Sequence, residues 1–378
     1  MAAGEFTFGI EEEFFLVHPR SRNVVARVPK RLVRTCRQRL GRHVTHELLQ
    51  SQVEISSPVF SDADEALAEM RRLRRAVAEV AEASGYRLVA AGTHPLAAWT
   101  EQRHTEKPRY QAMVGDFQIL GRRNLMCGLH VHVGVPPGVD RVELMNRAMP
   151  WLPLFLALST SSPFWNRRDT GLLSYRQAAY DEWPRAGIPD FFADEAEYQE
   201  FCALLIRAGA IQDPSFLWWA IRPSHRYPTL ELRISDSCTR VEHALAIAAL
   251  FRCLLRALVR MPELGRARGA ASRRVIDENR WRAKRWGVDA QFIVEPSGAL
   301  EACGGVLDAL RALVADDVRA LGCEQALKPL AVMLARGTSA HEQLARYRAR
   351  LAAGRSRREA LRHVVDWLVE TTVPANGN

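Results

Sequence analysis

The sequence predicts an α+β protein in which an antiparallel sheet carries helices on one face and leaves the other face open and polar. Four segments alternate apolar and polar residues with a period of two, the pattern of strands that bury only one face. Helical patterns dominate after these strands, and strands followed by helices indicate α+β rather than α/β. The four segments span residues 9–15, 50–59, 127–135 and 229–236.

The first segment, GIEEEFF, places three consecutive carboxylates in a strand. Its alternation sends Ile10 and Phe14 to the apolar face, and Glu11 and Glu13 to the polar face. Two carboxylates this close repel each other unless a cation lies between them, which favours a bound divalent metal. Glu12 falls on the apolar face, where we expect it at a strand edge or paired with an arginine.

The other three segments add metal-ligand and phosphate-binding side chains to the same face. In any one strand, a polar face is most often an ordinary solvated sheet face, and that interpretation stays open for each segment alone. Solvated faces favour threonine, lysine and serine, however, whereas these positions hold glutamate, histidine and arginine beside glycine. Together they predict a metal or phosphate site lined by Glu11, Glu13, Glu54, His130, His132, Glu231 and Arg233.

Length and composition fit one large domain. The chain has 378 residues, 48% of them hydrophobic, and no linker, repeat or low-complexity run divides it. We therefore expect a single catalytic domain over residues 1–373 and a disordered tail over 374–378. The start lacks the features of a signal peptide, and the longest apolar stretch, 149–158, is too short to span a bilayer. These observations predict a cytoplasmic protein without a membrane segment.

The charge and the cysteines exclude several classes of partner. A net charge of +9 raises the question of nucleic acid. The arginines are nevertheless spread among acidic neighbours on helices, as in MRRLRRAVAEVAE, and no nucleic-acid-binding motif is present, so no nucleic-acid partner is expected. A positive field also suits a small anionic substrate such as ATP. The seven cysteines are scattered without CxxC spacing, which argues against a disulfide framework or a zinc knuckle.

Capping and periodicity predict the main helices. Ser61 and Asp64 would form a capping box for a helix that ends near residue 84, and Thr239 and Glu242 would open an apolar helix that ends near residue 261. A kinked helix is expected over 142–159, and helices throughout 267–371. The irregular segments 93–110 and 161–190 resemble loops over a site.

Several familiar chemistries are absent. The sequence has no GxxxxGK(S/T) loop, no GxGxxG after a strand, no HExxH helix and no GxSxG elbow, so an ATP site would not be a P-loop. Cys127 lies three residues before His130, but a core cysteine is favoured over a nucleophile. HVH could supply ligands to zinc or non-haem iron, whereas the surplus of carboxylates favours Mg²⁺ or Mn²⁺.

Eight ordered motifs together resemble one family. They are GIEEEFF, HELLQSQVEISSP, GTHPLAAW, CGLHVHVGV, ALSTSSPFWNRRDTGLLSYR, WAIRPS, TLELR and ENRWRA, and they extend over almost the whole chain, from Phe6 to Val373. The set is similar to the carboxylate–amine ligase family, also called glutamate–cysteine ligase type 2, within the glutamine synthetase-like superfamily.

The resemblance implies a fold like the glutamine synthetase catalytic domain, with ATP and divalent cations on the concave face of a curved antiparallel sheet. It also implies transfer of the γ-phosphoryl group of ATP to a carboxylate, followed by attack of an amine on the acyl phosphate. By motif, Arg233 and Arg176 correspond to catalytic clamps for phosphate and carboxylate. The implied nucleotide ligands are Glu11, Glu54, His130 and Arg233, and the implied metal ligands are Glu11, Glu13, Glu47, Glu54, His130 and Glu231.

Glu47 fits a regular strand less well than the other implied ligands. Seven residues separate it from Glu54, which places the two on opposite faces, so both can bind one metal only if the strand bends or bulges near Gln50.

The substrates are expected to be a small carboxylate and a small amine. Glutamate and cysteine, which would give γ-glutamylcysteine, are the default pair, and another amino acid or amine is an open alternative. A homodimer is compatible with the long apolar helix. Two other classes stay open: a metal-dependent hydrolase that uses the Glu and His cluster without ATP, and a noncatalytic nucleotide or nucleic-acid binder.

Overall fold

The computed structural model describes residues 5–46, 49–101, 115–266 and 269–374. Its centre is a seven-stranded antiparallel sheet in the order β10-β11-β5-β1-β3-β2, with β4 also paired to β1. These strands are β1 (Phe8–Val17), β2 (Val44–His46), β3 (Gln52–Ser56), β4 (Arg87–Val89), β5 (Leu129–Gly134), β10 (Ile221–Pro223) and β11 (Thr229–Leu232). The α+β prediction with a mainly antiparallel sheet is confirmed.

Three small two-stranded sheets lie outside the central one. They pair β6 (Phe164–Trp165) with β7 (Arg168–Asp169), β8 (Ala186–Gly187) with β9 (Trp218–Trp219), and β12 (Gln291–Val294) with β13 (Ala299–Ala302). The helices are α1 (Lys30–Leu40), α2 (Ala63–Ala83), α3 (Ile119–Arg122), α4 (Arg141–Ala148), α5 (Leu152–Ser159), α6 (Tyr175–Tyr180), α7 (Glu195–Arg207), α8 (Val241–Arg260), α9 (Ala270–Trp286), α10 (Cys303–Leu313), α11 (Ala315–Ala320), α12 (Pro329–Arg336), α13 (Ser339–Ala352) and α14 (Arg357–Thr372).

The apolar face of the sheet is buried beneath helices. In β1, Ile10 and Phe14 are almost fully buried and join one core with residues of α2 and α8, while Glu11 and Glu13 are only partly buried. The period-two interpretation of this strand is therefore confirmed, and it leaves the two glutamates on the face opposite the helices.

Glu12 is fully buried and paired with Arg74 of α2, one of the two outcomes expected for it. The Arg74 Nε and Nη2 atoms donate to its two carboxylate oxygens at 2.9 and 2.5 Å. Arg74 also donates to the backbone carbonyls of Cys238, Thr239 and Thr372. This contact ties the middle of β1 to the start of α8 and the end of α14.

Both predicted capping boxes are wrong in detail. Helix α2 begins after Asp62, whose side chain accepts a hydrogen bond from the Glu65 N–H, so the cap lies one residue beyond Ser61. Helix α8 has no side-chain cap. Thr239 instead donates to the Ala90 carbonyl and contacts the Ser339 hydroxyl at 2.6 Å, because the buried segment before α8 needs partners from other elements.

Two further differences concern helix boundaries. The predicted helix over 142–159 is two helices, α4 and α5, separated by a 3₁₀ turn at Met149–Trp151 that contains Pro150. The region after residue 267, predicted as helices alone, also contains the β12–β13 hairpin.

Within the described ranges, no helix is long and apolar enough to cross a membrane. Residues 375–378 of the predicted tail and residues 102–110 of one predicted loop lie outside the described residues.

Candidate active site on the open face of the sheet

Strand register gathers the predicted polar residues on one face. Glu11 of β1 lies opposite His130 of β5, and His132 of β5 lies opposite Glu231 of β11. On the other side of β1, Glu13 lies opposite Glu54 of β3. Directly opposed residues of antiparallel strands share a face, so six acidic and imidazole positions from four strands line one surface.

Glu11, His132 and Glu231 form a cluster that can hold a metal ion. One ligand atom from each lies within 4.8 Å of the others, a grouping found by a search of the described residues. The His132 Nε2 atom is 3.6 Å from Glu11 and 3.8 Å from Glu231. Its Nδ1 atom is 3.0 Å from the Thr229 hydroxyl, which orients the ring with Nε2 towards the carboxylates.

His132 was included in the predicted open face but had no ligand role there, whereas His130 did. Both imidazoles contact Glu11, with His130 Nδ1 at 3.4 Å from its carboxylate. Burial, with a further contribution from Arg233, lowers the pKa of His130 to about 4, so its ring is neutral near pH 7 and could bind a metal. The signal for His132 was present in HVH, since alternate residues of a strand share a face.

Charge on the Glu11 carboxylate is stabilised inside the cluster. Burial alone would raise the pKa of Glu11, but hydrogen bonds from His130 and His132 and the positive charge of His132 outweigh it and hold that pKa well below its usual range. Ionised carboxylates with imidazole are donors that suit Mg²⁺ or Mn²⁺. The residues present therefore fit a divalent cation.

Glu13 and Glu54 form a second acidic position. The Glu13 carboxylate accepts a hydrogen bond from the Gly128 N–H at 2.7 Å, and Ser56 and Thr45 donate to Glu54 at 3.1 and 3.3 Å. Burial raises the pKa of Glu13 to about 7, and Glu54 adds to the shift although the charge of Arg176 opposes it. A bound cation would stabilise the ionised form of a carboxyl whose pKa is raised in this way.

Two arginines hold Glu231. Arg222 of β10 donates to it at 2.7 Å and also donates to the carbonyls of Ser215 and Leu217. Arg233 makes a short ion pair with the same carboxylate, and its buried Nε has no hydrogen-bond partner among the described residues. Arg222 is thus committed to the protein, whereas Arg233 keeps a donor for a ligand. Arg222 has no predicted role from the sequence, although its strand IRP alternates buried and half-buried residues.

Arg176 lies near Glu13, and a buried network centred on Asp236 holds it there. The Asp236 carboxylate accepts hydrogen bonds from Ser162, Ser174 and the Ser161 N–H at 2.7 to 3.0 Å, and the Ser162 hydroxyl accepts one from the Arg176 N–H at 3.0 Å. These contacts hold part of the segment 161–190, which the sequence predicts as a loop over a site. The Arg176 Nε atom is buried, and no residue in the described part of the chain accepts a hydrogen bond from it.

Gly128 makes room for this arginine. A Cβ atom at this position would lie 2.4 Å from the Arg176 Nη2 atom and 3.1 Å from the His130 Nε2 atom, so a side chain here would displace the guanidinium. The glycine before HVH thus has a packing reason.

Eight residues are assigned to metal, nucleotide or catalysis, and the strands of the sheet bring six of them to one face: Glu11, Glu13, Glu54, His130, Glu231 and Arg233. Arg176 joins them from the short helix α6 rather than from a strand. Glu47 lies outside the described residues, so its assignment stays a prediction.

Comparisons with known proteins identify the family of the chain. The model of glutamate–cysteine ligase family 2 (GCS2) matches residues 7–366. A provisionally named glutamate–cysteine ligase 2 of Ectopseudomonas mendocina is 45% identical over 97% of each chain. A protein with the same provisional name from Rhodospirillum rubrum is 43% identical over 98% of this chain and 97% of its own.

Solved structures show the same fold at low sequence identity. A glutamate–cysteine ligase of Francisella tularensis in complex with AMP has a TM-score of 0.68 at 11% identity, covering 98% of this chain and 89% of that one. A bifunctional glutathione synthetase of Pasteurella multocida has a TM-score of 0.68 at 14% identity, covering 97% of this chain and 53% of that one. From the family match and the close relatives, the chain belongs to glutamate–cysteine ligase family 2.

Proposed function

We propose that this chain is an ATP-dependent carboxylate–amine ligase that requires Mg²⁺ or Mn²⁺ and works through an acyl phosphate. The observation that carries the proposal is a carboxylate and imidazole cluster beside an arginine that keeps a free donor, all on one open sheet face. Cations and fixed positive groups are what phosphoryl transfer requires, more than a covalent nucleophile. Membership of the family supports a ligase.

Glu11, Glu231 and His132 would hold the divalent cation, with Glu13 and Glu54 available for a second one. A cation held there would supply positive charge to neutralise the phosphates of ATP. His130 and Glu47 are the remaining proposed ligands. The Thr229 and Arg222 contacts keep His132 and Glu231 in place, so these proposed ligands need little rearrangement when a cation binds.

Arg233 and Arg176 would neutralise the charge on the phosphoryl group and orient the carboxylate substrate. Both guanidinium groups are largely buried, and each has an Nε that no residue described by the structure contacts with a hydrogen bond. A planar, two-pronged donor suits carboxylate and phosphate oxygens better than an ammonium does. Held in place before substrate binds, these charges cost little reorganisation during the reaction.

The proposed reaction has two steps. A carboxylate oxygen of the acid substrate attacks the γ-phosphorus of ATP, and ADP leaves. The amine nitrogen then attacks the carbonyl carbon of the acyl phosphate, phosphate leaves, and loss of a proton gives the amide. Glutamate and cysteine are the default pair, supported by the names of the relatives, and another amine is the alternative acceptor.

The deciding measurement is ADP release by the purified chain with ATP and Mg²⁺. Glutamate and other carboxylates are each paired with cysteine and a panel of amines, and each component is omitted in turn. Release that requires both an acid and an amine supports the ligase and names the substrates. Metal-dependent turnover of a substrate without ATP would instead favour the hydrolase.

Arg233→Lys provides the matched variant. It keeps the positive charge beside Glu231 but loses the two-pronged contact, so ADP release should fall by about 100-fold, the scale of removing one fixed transition-state donor. Wild-type turnover in this variant would contradict the proposed clamp. A homodimer, a cytoplasmic location and a single domain over 1–373 stay predictions from the sequence.

A further inference from the structure

A cavity lies among the helices, away from the open face of the sheet. Its volume is about 660 Å³, within the range of small-molecule sites, roughly 300–1,000 Å³. Its walls come from the start of α2, the start of α8 and the whole length of α12, including Leu67, Leu245 and Val332. None of its lining residues belongs to the candidate active site.

The floor of this cavity is apolar. Leu245 and Ala326 are buried, Leu67 and Pro329 are half-buried, and Val332 is 47% exposed at the mouth. A large apolar side chain left exposed at the edge of a cavity offers surface that a bound molecule would cover. The cavity therefore provides hydrophobic contact for the body of a ligand.

Two of its acidic side chains are already neutralised by the protein. Glu242 contacts Arg71 at 2.6 Å, and Glu342 contacts Arg240 at 2.7 Å. The remaining lining carboxylate, Asp64, lies in the first turn of α2, where the helix dipole favours a negative charge.

Two lining cations, in contrast, are left for a ligand. The Lys328 and Arg336 side chains form no hydrogen bond or ion pair with any residue that the structure describes. They stand at opposite ends of α12, about 12 Å apart by helical rise. Burial lowers the pKa of the lining His243 to about 4, so this group is neutral near pH 7 and adds no further charge. The uncompensated charge at the rim is thus mainly positive.

We propose that this cavity binds a small organic anion. Its apolar body would lie against Leu67, Leu245 and Val332, and its carboxylate, phosphate or sulfonate group would contact Lys328 or Arg336. Charge complementarity to two unpaired cations selects the anion, and the apolar floor selects against a purely inorganic one. This site is separate from the proposed ligase site and does not depend on it.

The test is a fluorescence titration of the full chain with anilinonaphthalenesulfonate, an organic anion with an apolar body. We expect saturable binding that saturating ATP with Mg²⁺ does not displace. Lys328→Glu combined with Arg336→Glu should weaken binding by about tenfold or more, the effect of losing one charge-assisted contact. Val332→Trp, which fills the mouth from an exposed position, should also weaken it.

Two controls isolate the site. Arg357→Glu combined with Arg358→Glu makes the same change in net charge at exposed positions of α14 outside the cavity, and should leave binding unchanged. Phenylnaphthylamine, the neutral counterpart of the probe, should bind the wild-type chain more weakly than the probe does. It should bind the Lys328 and Arg336 double variant as tightly as it binds the wild-type chain. Circular dichroism checks that each variant is folded.

Three results would overturn the proposal. One is equal binding by the wild-type chain and the Lys328 and Arg336 double variant, and another is displacement of the probe by ATP with Mg²⁺. The third is self-association that hides the cavity, seen as probe binding that decreases when the protein concentration rises and recovers in Val332→Asp.

Discussion

Glu12 and Glu13 are neighbours in β1 with opposite environments. Glu12 is fully buried, and Arg74 contacts both of its carboxylate oxygens. Glu13 accepts one backbone hydrogen bond and has no ion-pair partner among the described residues, and its pKa is raised to about 7. A paired charge stabilises the fold, whereas an unpaired and perturbed one is the kind that functional sites contain.

Neutralising Glu13 should have the largest effect. Glu13→Gln should lower ADP release by at least about 100-fold if the proposed ligase assignment is right, because it removes charge from the second acidic position. The midpoint of thermal unfolding should stay the same or rise, since a poorly compensated charge is lost. Steady-state kinetics measure the loss of ADP release, and a thermal melt measures the unfolding midpoint. Near-normal turnover would contradict the assignment of Glu13 to the site.

Breaking the pair at Glu12 should give the largest loss of stability. Arg74→Met leaves the Glu12 carboxylate buried without its cation, so the free energy of unfolding should fall by about 3–5 kcal/mol. Denaturant unfolding measures this.

The matched control for that pair is Arg74→Met combined with Glu12→Met, which should recover much of the loss because no buried charge is left unpaired. If the double variant is no more stable than Arg74→Met, the three carbonyl contacts of Arg74 matter more than its ion pair.

Asp236 is intermediate between Glu12 and Glu13 in how the protein compensates its charge. It is fully buried like Glu12, but serine hydroxyls and a backbone N–H satisfy it, with Arg176 no closer than 4.0 Å. Asp236→Asn should therefore cost about 1–3 kcal/mol of unfolding free energy, the range for a buried polar group with a mismatched partner. An unfolding midpoint equal to that of the wild-type chain would show that the serine cluster does not depend on the charge.

An exposed pair of the same chemistry should have the smallest effect. Arg39 and Glu79 form an ion pair at 3.1 Å with both side chains more than half exposed. Arg39→Met should change the free energy of unfolding by less than about 0.5 kcal/mol, because water already solvates both charges. A loss close to that of Arg74→Met, measured in the same denaturant series, would show that burial is not what separates the two pairs.

Much of the site could be predicted because strand alternation is local. The period of two placed Glu11, Glu13, His130 and Glu231 on one face without any knowledge of which strands are neighbours. The same rule marked Glu12 as the misfit, expected at a strand edge or paired with an arginine, and the structure shows the second of these. The eight ordered motifs then supplied the family, which the comparisons show.

Local rules failed where distant segments meet. Arg74 is 62 residues from Glu12 in the chain, and nothing in the local sequence distinguishes it from the other arginines of α2. Thr239 has the spacing of a cap but turns to Ala90 and Ser339, because buried polar groups take whichever partners packing provides. The hairpin β12–β13 was missed for a different reason, since short strands with exposed residues lack a clear apolar period.

The sequence by itself determined the fold class, the family and which side chains share the open face, because these depend on residue type and on spacing along one strand. Only the tertiary structure decided that His132 lies between Glu11 and Glu231, that Arg222 and Arg233 both pair with Glu231, and that helix α6 holds Arg176 where its charge acts on Glu13. These contacts depend on strand register and on the packing of segments far apart in the chain, and the periodicity of a single strand contains no information about either.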